Sequence, residues 1–166
     1  MDAVEVFNSL PAVRLGADLK ACCAAPTWGA TVLAHRPYRD RAAILAAADQ
    51  ASRALSWEGV LTSLAAHPRI GERAAGDSRE AVWSRSEQSA AAETSGKAEL
   101  IEVNKAYEEK FGHVFLIFAS GRGQQEIVAA ARERLGNDPE TERAIVSDEL
   151  RKIARLRLER LLDALA

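Results

Sequence analysis

The sequence predicts an all-α protein, and three observations carry that prediction. Alanine, leucine and charged residues of high helix propensity dominate the 166-residue chain, while aromatic residues are only 5% of it. Apolar residues recur at three- and four-residue spacing through the longer segments, the period of a helix face. The one stretch of β character, Val114-Phe115-Leu116-Ile117-Phe118-Ala119, has no second run of comparable composition to pair with.

Taken in order, Val4 to Leu10 reads as a short helix that Pro11 ends or redirects. A second covers Arg14 to Ala24 and stops before Pro26. Trp28 to Ala34 forms a third, closed by Arg36-Pro37, because a residue preceding proline avoids the helical region. Arg39 to Leu55 is a firmer helix with Ile44, Leu45, Ala48 and Ala51 on one face. Ser56 reads as the N-cap of a helix from Glu58 to Ala66, with Val60, Leu61 and Leu64 at helical spacing, and His67-Pro68 stops it. Arg69 to Trp83 turns polar and glycine-bearing and reads as a loop or a turn or two of helix.

A new helix is expected from Ser84 through the alanines to Glu93, broken or kinked at Ser95-Gly96 and resumed from Lys97 to Phe111. The apolar run from Val114 to Ala119 is expected to be a buried extended or irregular segment, whose backbone groups need partners other than a sheet. Gln124 to Leu135 is a helix closed by Gly136. Asp138-Pro139-Glu140 then opens the longest helix, with Asp as N-cap and Pro in the first helical position. Its apolar stripe runs through Val146, Leu150, Ile153, Leu161 and Ala164, and Arg157 projects into the middle of that stripe, with Arg160 near its edge.

Length and composition bound the rest. A chain of this size forms one domain, residues 1–166, with a core of its own. An apolar fraction of 48% and a net charge of -2 place it among soluble globular proteins. Basic and acidic residues interleave, so no cation stripe for nucleic acid is present. No run of about 18 apolar residues marks a membrane span, and the N-terminus lacks a basic segment followed by an apolar one. The chain ends Asp-Ala-Leu-Ala, without a Ser-Lys-Leu address, and a cytoplasmic protein is expected. Cys22 and Cys23 are adjacent, a poor geometry for a bridge, and read as plain buried or half-buried thiols.

The candidates for chemistry are His67 in His67-Pro68-Arg69-Ile70-Gly71 and the Ser84-Arg85-Ser86-Glu87-Gln88 string downstream. Each has a purely structural reading. A histidine at a helix end answers terminal carbonyls and the helix dipole. Ser84-x-x-Glu87 matches a capping box. Arg157 on an apolar stripe can reach past its neighbours or pair with a carboxylate. His35 and His113 read as exposed or half-buried, and no His/Asp/Glu set has metal-ligand spacing, so no metal is expected. Together the candidates say more: a buried arginine needs an anionic partner, its guanidinium fits a carboxylate in two-point fashion, and a histidine beside a carboxylate moves protons near neutral pH. That set suits acid/base chemistry on a small anion.

Four strings, HPRIG, SRSEQ, KFGHVFLIFASGR and ELRKIARLRLERLL, occur in this order along nearly the whole chain. In this arrangement the chain closely resembles the 2-oxo-4-hydroxy-4-carboxy-5-ureidoimidazoline (OHCU) decarboxylases of urate breakdown. The resemblance implies an all-α fold peculiar to that family, usually a homodimer, acting on a small anionic ureide without cofactor or metal. It implies His67 as the catalytic histidine, Glu87 as its partner carboxylate and Arg157 as the substrate-binding arginine. Pro68, Ser84 and Gln88 match residues lining the pocket. Phe115, Leu116, Ile117, Phe118 and Ala119 match the segment whose backbone holds the ureido and ring groups. One departure stands out: His113 follows Phe111-Gly112 where the family usually has an aromatic or apolar residue.

The implied reaction is a stereoselective decarboxylation to (S)-allantoin. Loss of CO2 leaves an electron pair that the adjacent ring C=N accepts, so the substrate is its own electron sink and neither pyridoxal nor thiamine is required. His67, assisted by Glu87, takes or relays the proton of the neighbouring hydroxyl. Proton delivery to one face of the next carbon fixes the S configuration. Arg157 is expected at the hydroxyl or carbonyl oxygen, since a tight grip on the departing carboxylate would stabilise the ground state. Two other readings stand beside this one: a non-catalytic helical interaction module whose His67, Glu87 and Arg157 satisfy one another, and a hydrolase of a related ureide, which would want a metal site or activated nucleophile.

Overall fold

A computed structural model describes residues 1–70, 78–89 and 97–166 of the chain. Among the described residues there are nine helices and no strand. They are α1 (Ala3–Ser9), α2 (Ala12–Cys22), α3 (Pro26–Ala34), α4 (Arg41–Arg53), α5 (Trp57–Leu64), α6 (Arg79–Glu87), α7 (Lys97–Phe111), α8 (Gln124–Arg134) and α9 (Pro139–Leu165). The all-α expectation therefore holds. Two compact units make up the chain, one from Met1–Ser63 with Leu150–Ala166, the other from Leu64–Glu149.

In the first unit the helix boundaries follow local chemistry. Asp2 and Glu5 close a capping box over α1, the Asp2 carboxylate accepting from the Glu5 amide at 2.9 Å and the Glu5 carboxylate from the Asp2 amide at 3.1 Å. The other end of α1 is answered by one guanidinium: Arg36 Nη1 donates to the carbonyls of Phe7, Asn8 and Leu10 at 3.0, 3.3 and 2.7 Å. Pro26 sits in the first turn of α3, Asp40 caps α4 through the Ala43 amide, and the Ser56 hydroxyl accepts from Gly59 at 3.1 Å, as expected of an N-cap. Helix α3 packs against α2 and α4. The buried side chains include Phe7, Leu15, Leu19, Trp28, Val32, Ile44, Leu158, Leu161 and Leu162. Trp28 keeps its indole N–H satisfied by donating to Ser52 Oγ at 3.0 Å. Leu61 does not join its neighbours Val60 and Leu64 inside but lies on the exposed side of α5.

In the second unit α7 packs against α8. The core gathers Ile70, Leu100, Val103, Tyr107, Phe115, Ile117, Ala119, Ile127, Val128 and Ala131. The Val114–Ala119 run has no regular structure and is mostly buried, as its composition implied. A glycine at positive φ stands just outside each end of it. Gly112, at φ 80°, terminates α7 with its amide on the Glu108 carbonyl, and Gly121, at φ 78°, turns the chain so that Arg122 N donates to Ala119 O at 3.0 Å. His113, the departure from the family pattern, takes an aromatic's place: its ring stacks on Phe111 at 6.2 Å and meets Tyr107 edge-on at 5.6 Å.

Helix α6 corrects one expectation. It starts at Arg79, not Ser84, because Ser78 is the N-cap and its hydroxyl accepts from the Ala81 amide at 3.1 Å. Ser84 and Glu87 thus lie in the last two turns of a helix already formed, and the Ser84-x-x-Glu87 capping box does not exist. The stretch from Ala90 to Glu93 and the Ser95-Gly96 break lie outside the described residues, as do residues 71–77 of the expected loop.

Helix α9 begins as expected. Asp138 Oδ1 accepts from the Thr141 amide at 2.7 Å, and this bond holds the Asp138 carboxyl below its ordinary value. Val146, Leu150, Ile153 and Leu161 are buried, but Ala164 is exposed, since the apolar stripe ends with the core before the helix does.

Candidate functional site

The second unit holds two of the three residues expected to carry chemistry. His67 follows α5 by three residues, past a turn in which its amide donates to Leu64 O at 3.0 Å, and its side chain is half-buried. Pro68 next to it is also half-buried. What comes after pins this short segment down. The Arg69 guanidinium meets both oxygens of Glu108 on α7 at 2.9 Å, the Ile70 side chain enters the core, and the Ile70 carbonyl accepts from Asn104 Nδ2 at 2.8 Å. The histidine therefore stands on a short loop whose downstream end is fixed by α7.

Glu87 closes α6 and is only 6% exposed. Ser84 precedes it by three positions and Gln88 follows Ser84 by four, so the three share one helix face. Ser84 is buried, Gln88 half-buried, and Gln88 Nε2 lies 3.5 Å from Ser84 Oγ. A carboxylate, a hydroxyl and a carboxamide at this spacing offer acceptors and donors side by side, the equipment for orienting a histidine or a polar heterocycle.

The Phe115–Ala119 segment is held by side chains instead of a neighbouring strand. Arg134 Nη1 donates to Leu116 O at 2.7 Å, Phe118 N donates to Glu149 Oε1 at 3.2 Å, and Arg122 Nε donates to Phe118 O at 3.0 Å. Arg134 is itself fixed by Glu142, with Nε 2.9 Å from Oε2, and lies over the rings of Phe115 and Tyr107 at 4.5 and 5.8 Å. The Tyr107 hydroxyl donates to the same carboxylate. Burial and the Glu142 carboxylate together push the Tyr107 phenol well above its ordinary value.

Sequence reasoning missed this Tyr107–Arg134–Glu142–Glu149 set. A signal was present: Glu142, Val146, Glu149, Ile153 and Arg157 follow one another at three- and four-residue steps, so both carboxylates sit on the apolar stripe that singled out Arg157. Asn104 lies within the expected Lys97–Phe111 helix, where nothing local marks its bond to the Ile70 carbonyl.

Arg157 belongs to the first unit. It is 3% exposed, and Nη1 donates to the Ala21 carbonyl at 3.1 Å. Arg160 is half-buried, so burial separates the two arginines that periodicity left close. Near Arg157, Cys23 Sγ lies 3.2 Å from Ser63 Oγ. Burial raises the Cys23 thiol above its ordinary value, and the Ser63 hydrogen bond and the charge of Arg157 offset only part of that. Cys22 and Cys23 are both buried thiols outside any disulfide, as expected.

Comparison with known proteins agrees with this architecture. The family profile described as OHCU decarboxylase matches residues 8–159. The uric acid degradation bifunctional protein TTL of Arabidopsis thaliana is 36% identical over 156 residues, 90% of this chain and 48% of that protein. The chain thus spans about half the length of that relative. The 2-oxo-4-hydroxy-4-carboxy-5-ureidoimidazoline decarboxylase of Amia calva is 30% identical over 138 residues, 81% of this chain and 79% of that protein. A crystal structure of OHCU decarboxylase in the presence of (S)-allantoin superposes with a TM-score of 0.72 at 32% identity, covering 88% of this chain and 97% of that one.

Proposed function

Because this chain belongs to the OHCU decarboxylase family, we propose that it converts 2-oxo-4-hydroxy-4-carboxy-5-ureidoimidazoline to (S)-allantoin without a cofactor. Residues 1–166 act as one decarboxylase domain, working as a homodimer. The cytoplasm is its compartment.

His67 is the proton-transfer group and Glu87 the carboxylate that orients it. As the bond to the carboxyl carbon breaks, its electron pair forms a C=C bond to the adjacent ring carbon and the C=N pair moves onto the ring nitrogen, which takes a proton. His67 then takes the hydroxyl proton of the resulting enol, so that its oxygen becomes a carbonyl as the C=C pair takes a proton at the next carbon. Reprotonation of the next carbon from one side sets the S configuration. Ser84, Gln88 and Pro68 line the pocket, and the backbone of Phe115–Ala119 takes the ureido and ring groups. Arg157 stabilises the oxygen on which charge develops.

The observation that carries this reading is the helix face of α6. It buries Glu87, an acid, beside Ser84 with Gln88 next to them. A helix needs no such trio for folding, since its cap is Ser78.

Circular dichroism on freshly generated urate oxidation product, with the upstream hydrolase present, tests the proposal. Addition of the protein is expected to bring up the (S)-allantoin signal far faster than the spontaneous, racemising background. A signal that rises no faster than background contradicts it and brings the interaction-module reading forward.

A further inference from the structure

Side chains grip the Phe115–Ala119 segment at Leu116 and Phe118. Phe115, Ile117 and Ala119 send their side chains into the core of the second unit, while Leu116, though buried, is not part of that core and Phe118 is half-buried. This alternation is that of a strand, in which the peptide groups of successive residues point to opposite edges. The bonds from Arg134 to Leu116 O, from Phe118 N to Glu149 and from Arg122 to Phe118 O all fall on the edge of residues 116 and 118. Donor, acceptor and donor side chains there take the place of a partner strand. By the same alternation, the peptide groups of Phe115 and Ile117 and the amide of Ala119 belong to the opposite edge.

We infer that Arg134 and Glu149 are positioning residues, which fix the Phe115–Ala119 segment from behind so that the 115/117/119 edge presents alternating C=O and N–H groups to the ureide. A ureide carries N–H and C=O groups side by side, as a peptide does, and pairs with such an edge as a short strand would. The inference rests on the decarboxylase reading given above. It assigns to two buried charges a task beyond stability. Arg134 reaches its carbonyl while both its charge and its orientation are set by Glu142, so it cannot swing away. Glu149 holds the one amide of the gripped edge that faces it.

Two measurements test this. In the first, E149L is expected to raise KM about tenfold, the value of one hydrogen bond to a charged group, with kcat little changed. E149Q is expected to stay close to the wild type, because its carboxamide oxygen still accepts from Phe118 N. A purely structural role would not split KM from kcat in this way, nor be rescued by glutamine alone.

In the second, residue-resolved amide exchange is followed in the wild-type protein with and without saturating (S)-allantoin, and it decides the matter even if E149L fails to fold. The ligand is expected to slow exchange at the Ile117 and Ala119 amides and to leave Phe118, already held, unchanged. Protection at Phe118, or none at Ile117 and Ala119 in an active enzyme, overturns the inference alone. A wild-type protein that does not decarboxylate overturns the functional reading and this inference with it.

Discussion

Arg134 and Glu142 form an ion pair sealed inside the second unit, with Nε 2.9 Å from Oε2 and the Glu142 side chain without solvent exposure. Burying two charges is costly, and the pair holds because every strong group is used: Arg134 also serves Leu116 O, and Glu142 also receives the Tyr107 hydroxyl and Asn137 Nδ2. Removing one partner leaves the other charge buried and uncompensated. Glu142→Ala is therefore expected to lower unfolding free energy by about 3–5 kcal/mol in urea denaturation. A loss under about 1 kcal/mol would mean that the pair is hydrated or rearranges.

Tyr107 gives the same network a pH dependence. Its phenol is favoured neutral in the fold, so its folded value lies above the unfolded one. The stability from this group is intact below about pH 10, the ordinary phenol value, and is lost as pH rises past it toward the raised folded value. Tyr107→Phe is expected to cost about 1 kcal/mol near neutrality, and the difference from wild type should shrink in alkali. Urea titrations at neutral and strongly alkaline pH check the sign; a difference that grows with pH contradicts it.

The true start of α6 separates cap from site. Ser78→Ala removes the hydroxyl that accepts from Ala81 and is expected to cost about 1 kcal/mol of stability with turnover little changed. Ser84→Ala should do the reverse, lowering kcat/KM with no cap lost. Thermal melts and steady-state kinetics on the two variants check both halves.

Arg157 and lysine at the same position share a charge but not a shape. Arg157 spends one N–H on the Ala21 carbonyl, and two-point recognition of an oxygen-rich anion depends on a planar guanidinium. Arg157→Lys is expected to lower kcat/KM at least about tenfold, in line with the loss of one charge-assisted hydrogen bond. Wild-type kinetics in this variant would rule out the two-point role.

Much of this molecule was legible in the sequence because its punctuation is local. Pro11, Pro26, Pro37 and Pro139, with Ser56 and Asp138 as caps, mark helix ends that the structure places within a few residues. The start of α6 was not legible for an equally local reason. The real cap, Ser78, has Ala81 and not an acid at the third helical position, while Ser84-x-x-Glu87 imitates a capping box within the last two turns of a helix already formed. The irregular Val114–Ala119 run was foreseen as backbone in need of partners. Which partners could not be foreseen, because Arg134 and Glu149 come from α8 and α9 and only tertiary packing brings them to Leu116 and Phe118. Arg157 stood out against an apolar stripe, and Glu142 and Glu149 did so no less, but a carboxylate on a long charged helix draws less notice than an arginine within a motif.

The central claim is that His67 moves the proton in the decarboxylation. The most direct measurement is the initial rate of (S)-allantoin formation, followed by circular dichroism, for the wild type and His67→Ala, with the thermal midpoint of both recorded. The expected result is a rate lower by about 100-fold or more in the variant with a near-unchanged midpoint, since loss of general acid/base catalysis costs that much while a half-buried loop side chain contributes little to folding. A His67→Ala protein that forms (S)-allantoin at the wild-type rate would contradict the account and remove His67 from the mechanism.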